Sequence, residues 1–151
     1  MSYSLAYTFS CQKDSINCLA FSADGLYLAS GSDDCTVSVH DCVRGIEVQK
    51  LVGDAPVTAL LWHANGAGGE KLFIGYGNGK LRFIDILSAV PDGIQFPVNG
   101  DFPIEGLDHD TTSGMLAVCT TREVRLWQQH RASYPIRGNW TSPPSRTPPM
   151  P

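Results

Sequence analysis

Three groups of residues are spaced so that they invite a chemical reading. Cys35, His40 and Cys42 bring soft metal-ligand types within eight positions. Zinc needs its ligands to converge at about 2.0–2.3 Å. Along a strand, Cys35 and His40 stand roughly 16 Å apart, so this set reads as structural. Gly75-Tyr76-Gly77-Asn78-Gly79-Lys80 looks like a phosphate loop. Three residues instead of four separate Gly75 from Gly79, however, Leu81 follows Lys80, and a strand follows rather than a helix. It reads as a hairpin turn. Asp108-His109-Asp110 sets an imidazole between two carboxylates. Adjacent side chains point apart and no second base stands nearby, so this triplet reads as a solvated loop between two strands. His63 and His130 read as surface or strand-end residues. No catalytic residue, metal site or cofactor is expected, and the chain reads as a non-enzyme.

Composition narrows the partners. The chain has 151 residues, a net charge of −4 and no basic run. That disfavours nucleic acid and an anionic membrane as partners. The Phe, Tyr and Trp residues, one or two per strand, read as core. No apolar run approaches the ~18 residues of a spanning helix. Met1 to Ser10 has no basic flank, so it does not read as a signal peptide. The five Cys are odd in number and form no CxxC pair. They read as reduced thiols, and the chain as intracellular (cytoplasmic or nuclear) and not secreted. The sequon Asn139-Trp140-Thr141 then stays idle.

The elements that must position these residues follow a period. Ile16 to Val57 is 41 residues and Val57 to Ile104 is 47; His40 to Ile84 is 44 and Ile84 to Trp127 is 43. Each period holds short runs rich in Val, Ile, Leu, Phe and Tyr, several alternating with period two, as in Val37-Ser38-Val39-His40. Asp24-Gly25 and Asn78-Gly79 supply the positive φ of tight hairpins, and Asn65-Gly66 opens a looser loop. Fourth strands are expected at Ile46–Leu51 and Ile94–Val98, and a leading one at Leu5–Phe9. The loop from Leu87 to Gly93 absorbs the longer spacing. No amphipathic helix of ten residues is visible. The expectation is an all-β chain with at least ten strands in three consecutive antiparallel sheets. Residues 143–151 carry five Pro in nine, so 139–151 reads as a disordered or polyproline II tail.

The run from Asp14 to Gly25, followed by Leu28 to Asp34, resembles a WD-repeat β-propeller. The likeness covers residues 5–138 as repeats of about 10–54, 55–100 and 101–138. The usual Trp-Asp ending is replaced by His40-Asp41, Ile84-Asp85 and Trp127-Gln128. The Gly-His before the first strand is replaced by Cys11-Gln12 and, in the second repeat, by Val52-Gly53-Asp54. The resemblance implies a partial propeller of about three four-stranded blades. It implies a network that ties each blade together, carried in the first repeat by Gln12, Ser30, Asp34 and His40. The network is weakened in the second, with Asn78 and Ile84, and keeps Trp127 in the third.

The resemblance also implies a non-catalytic scaffold for protein–protein interaction. One rim would hold Lys13, Asp14, Asp33, Asp34, Asp54, Asn78, Asp101, Thr120, Thr121 and Arg122. Five Asp against two bases favour a basic protein or peptide partner. The plainer reading of the same Asp residues is that they end strands and cap turns. Propellers typically close with about 4–8 blades, so three repeats read as a fragment or truncated form of a longer propeller. Its open blade edges would favour self-association. The alternatives are a propeller-type hydrolase with no site in this segment, or a degenerate product without independent function.

Overall fold

The computed structural model describes residues 1–65, 69–86, 94–98 and 100–129. Among these residues the chain is all-β and has eleven strands. The first sheet is β1 (Ile16–Phe21), β2 (Tyr27–Ser32), β3 (Thr36–Asp41) and β4 (Ile46–Val52). The second is β5 (Val57–Asn65), β6 (Gly69–Tyr76), β7 (Lys80–Asp85) and β8 (Ile94–Pro97). The third is β9 (Ile104–Asp110), β10 (Met115–Thr120) and β11 (Val124–Gln128). Strands adjacent in sequence pair antiparallel in each sheet. The arrangement is that of a partial β-propeller with three blades in a row. Asp24-Gly25 and Asn78-Gly79 are hairpin turns, with φ +73° at Gly25 and +79° at Gly79.

Two apolar layers hold the blades together. Between the first and second, Ala29, Val37 and Val39 meet Val57, Leu72 and Ile74. Between the second and third, Phe73 and Leu81 meet Ile104, Leu116 and Val118. β6 carries three consecutive large apolar residues, Leu72-Phe73-Ile74, for a structural reason. Leu72 and Ile74 face one layer and Phe73 the other, so a middle blade is covered on both faces.

A bulge recurs at the start of each blade. It falls between Ile16 and Cys18, between Val57 and Ala59, and opposite the step from Cys119 to Thr120. The extra residue turns the first aliphatic side chain towards the preceding blade. Val57 sits over Gly31, where a Cβ would overlap its methyl group, and Ile104 sits over Gly75, where a Cβ would come within 2.6 Å of Ile104 Cγ2. Val57 and Ile104 are fully buried, whereas Ile16, with no described blade before it, is 53% exposed.

Four expectations are corrected. Leu5–Phe9 forms no strand. It pairs with no strand among the described residues, and side chains hold it instead: Tyr7 Oη donates to the Val43 carbonyl at 2.9 Å, and the Phe9 ring stacks on His40 at 4.1 Å. Asp108-His109-Asp110 is not a loop but the end of β9, paired with Met115 to Ala117. His63 lies within β5, half-buried, rather than at the surface or a strand end. The third blade has three strands among the described residues, not four. The loop from Leu87 to Gly93, Gly66, His130, the sequon and the tail at 139–151 lie outside the described residues.

The tight seat of Ile104 predicts that Gly75→Ala costs about 1–3 kcal/mol by overpacking. Gly77→Ala, where a Cβ meets nothing closer than 3.7 Å, should change stability by no more than about 0.5 kcal/mol. Chemical denaturation of the two variants reads the contrast.

Candidate functional site

Asp34 occupies the turn between β2 and β3. Its Oδ2 accepts the Lys13 N–H at 2.8 Å; its Oδ1 accepts the Thr36 N–H at 2.9 Å and the Thr36 hydroxyl at 2.5 Å. Desolvation pushes its pKa up, but the Lys13 N–H and the Thr36 hydroxyl and N–H outweigh it and hold the carboxyl at about 2. The turn is thereby tied to the segment that leads into β1.

Gln12 continues the chain of bonds. Its Nε2 donates to the carbonyls of Ser30 at 3.1 Å and Thr36 at 3.0 Å. Its Oε1 is then the acceptor for the Ser30 hydroxyl, at 2.8 Å. With its proton given to Gln12, Ser30 Oγ accepts from His40 Nε2 at 3.2 Å. Burial lowers the His40 pKa, with Glu47 raising it less, so the ring is neutral and its Nε2 carries the proton. The structure thus brings Gln12, Ser30 and His40 into contact and joins Asp34 to them through Thr36. Trp127 stands apart, buried between the second and third blades.

The rim residues share the blade end that carries the β2–β3, β6–β7 and β10–β11 turns and the β4–β5 and β8–β9 links. Lys13, Asp14, Asp33, Asp54, Asp101, Thr121 and Arg122 are exposed; Asn78 is half-buried and Thr120 buried. Several are engaged within the chain. Asp14 Oδ1 accepts the Ser15 N–H, and Asp33 Oδ1 accepts from Asn17 Nδ2 at 2.6 Å. Asp54 pairs with Lys80 Nζ at 3.0 Å, a hydrogen bond that lowers its pKa. Asn78 Oδ1 accepts the Lys80 N–H, and the Arg122 guanidinium lies over the Phe102 ring at 5.0 Å. Asn17 also donates to the Val57 carbonyl at 3.1 Å, linking the first rim turn to the second blade.

Two side-chain clusters had no signal in the spacing. His63 and His109 face each other across the second and third blades, with ring centroids 4.0 Å apart. Burial lowers both pKa values. The neighbouring imidazole and Lys71 add to the fall at His63, while Asp110 and Asp108 oppose it at His109. At the outer part of the first blade, ligand atoms of Cys11, His40 and Glu47 lie within 4.8 Å of one another. Cys35 is elsewhere, in the turn before β3, and all five cysteines are unpaired thiols. Both clusters join residues 29 or more positions apart or across a strand pair, which sequence patterning does not register.

Residues 3–41 match the protein-family model described as WD domain, G-beta repeat. The matched stretch contains Gln12, Ser30, Asp34 and His40 and ends at the close of β3. The chain therefore carries a WD repeat, which supports a WD-repeat family. The second and third blades lie beyond the matched residues.

The bonding of Asp34 predicts that Asp34→Asn costs about 1–3 kcal/mol. Asp33→Asn, one residue away and exposed, should cost less than about 0.5 kcal/mol. Because the folded pKa of Asp34 is depressed, its contribution is present above the unfolded value of 3.8 and is lost as pH falls through about 2. The depressed histidines act at higher pH. Their neutral forms stabilise the fold above about pH 6.5, and stability declines as pH falls below that value. A denaturation midpoint measured at about pH 7.5 and about pH 5.5 should drop on acidification. His109→Phe should drop less.

Proposed function

We propose that this chain, a WD-repeat protein by its first blade, is a non-catalytic scaffold that holds a basic protein or peptide on its acidic rim. WD repeats serve generally as protein-interaction modules, and the rim gives that role a surface. The observation that carries the reading is the set of exposed carboxylates at Asp14, Asp33, Asp54 and Asp101 on turns braced by hydrogen bonds. Rigid turns present charge without an ordering cost on binding. Lys13, Asn78, Thr121 and Arg122 complete the same end and supply donors for a partner's backbone. The five free thiols fit an intracellular setting, which belongs to the same proposal.

Self-association is a second reading, favoured by the outer faces. Ile16, Leu19 and Phe21 are exposed on the first blade, and Val124 and Leu126 on the third. In the second blade the corresponding Val57, Leu60 and Leu81 are buried and Trp62 and Phe83 half-buried. Asp108 and Asp110, also exposed, place charge beside the apolar patch on the third blade.

The rim reading is tested with Lys- and Arg-rich peptides titrated at several salt concentrations. Affinity should weaken with salt. Asp14→Lys combined with Asp101→Lys should reduce it by about tenfold or more, while Glu47→Lys, on β4 away from the rim, should change it by less than about twofold. Equal effects of the two charge changes would remove the rim as the binding surface.

A further inference from the structure

His40 stands at the strand end where the WD pattern usually has Trp. An indole offers one ring nitrogen and an imidazole two. Nε2 is committed: it donates to Ser30 Oγ at 3.2 Å, because Ser30 has given its own proton to Gln12. The lone pair is therefore on Nδ1. His40 is 3% exposed, and its Nδ1 is buried with no hydrogen-bond partner. A buried acceptor in that state calls for a cation or a donor.

Two further ligand types stand close to the imidazole. Cys11 arrives from the leading segment and Glu47 from β4, where it pairs with His40 across the bulge after Val39. The ligand atoms of all three lie within 4.8 Å of one another. Phe9 stacks on the imidazole and fixes its plane. The nearby Lys50 ammonium is held by the Cys11 carbonyl at 2.6 Å, on the main chain.

We propose that Cys11, His40 and Glu47 form a binding site for one zinc ion, ligated through Sγ, Nδ1 and a carboxylate oxygen, with the fourth tetrahedral position left to water. One thiolate, one imidazole and one carboxylate suit zinc and are too soft a set for magnesium or calcium. The Nε2–H to Ser30 bond is the outer hydrogen bond that a metal-ligating histidine ordinarily makes, and it holds the tautomer with Nδ1 free. A groove lined by Phe9, Cys11, Ile16, Leu19, Leu28 and His40 gives the ion a way in. The bound ion clamps the leading segment to β3 and β4. The site is separate from the acidic rim and does not rest on the role assigned there.

The test uses the full chain stripped of metal. Zinc is titrated in competition with a chromophoric chelator, and cobalt(II) serves as the spectroscopic probe. The expected result is one ion per chain and a thiolate-to-cobalt charge-transfer band. Cys11→Ser should abolish the band, and both Cys11→Ser and Glu47→Gln should weaken zinc binding by about tenfold or more. Glu47 is exposed, so its replacement leaves the fold intact. Cys42→Ser, two positions from His40, should bind like the unaltered chain. No binding at micromolar zinc, undiminished binding in Cys11→Ser, or an equal loss in Cys42→Ser would overturn the assignment.

Discussion

The structure depends on the close approach of one twisted sheet to the next. A sheet buries its face only if the neighbour's first side chains can reach the floor between its strands. Val57 and Ile104 do so because Gly31 and Gly75 leave the space of a missing Cβ. The bulge just after each of these residues aims the aliphatic group into that space. The apolar layers around Val39, Leu72 and Ile74, and around Phe73, Leu116 and Val118, then close at interior density. Polar ties accompany the seat. Thr58 donates to the Ile104 carbonyl, Asn17 to the Val57 carbonyl and the Trp62 indole to the Ala20 carbonyl, so the blade-to-blade contact has directional as well as apolar components.

Within the first blade, altered residue types are accommodated by changing hydrogen-bond direction. Gln12 has both a donor and an acceptor on one amide. It can serve two carbonyls and a hydroxyl at once, which a hydrocarbon side chain there could not. That choice fixes the Ser30 hydroxyl, and the hydroxyl fixes the His40 tautomer. The consequence is a free lone pair on the other ring nitrogen of an imidazole that stands close to Cys11 and Glu47. A network that braces a turn and a cluster of ligand-type atoms are thus joined through one imidazole. Asp34 is stabilised by the Lys13 and Thr36 N–H groups and by the Thr36 hydroxyl, and keeps its charge far below neutral pH.

The rim and the outer faces divide the surface into two kinds. Turn residues on the rim are braced from within: Asp34 by Lys13, Asp33 by Asn17, Asp54 by Lys80. Each remains at the surface while its geometry is held. The outer faces carry exposed apolar side chains, with Ile16, Leu19 and Phe21 on one and Val124 and Leu126 on the other. Only a second sheet of matching shape covers such a face well.

Local physics was sufficient for much of this. Alternation in Val37-Ser38-Val39-His40, the Asp24-Gly25 and Asn78-Gly79 turns, and the 41–47-residue period determined the strands, their antiparallel order and the three sheets. Each depends on residues a few positions apart, and the WD pattern around Asp34 is equally local. Tertiary structure alone decided the rest. Leu5–Phe9 has strand-like residues but no ladder, because a strand exists only beside another. Asp108 to Asp110 reads as a polar loop yet stays in β9, because His109 finds His63 and Phe73 on the second blade. Cys11, His40 and Glu47 share no motif. They meet because β3 and β4 pair in one register and the leading segment folds back across them, and a one-residue slip in that register would turn their side chains to opposite faces.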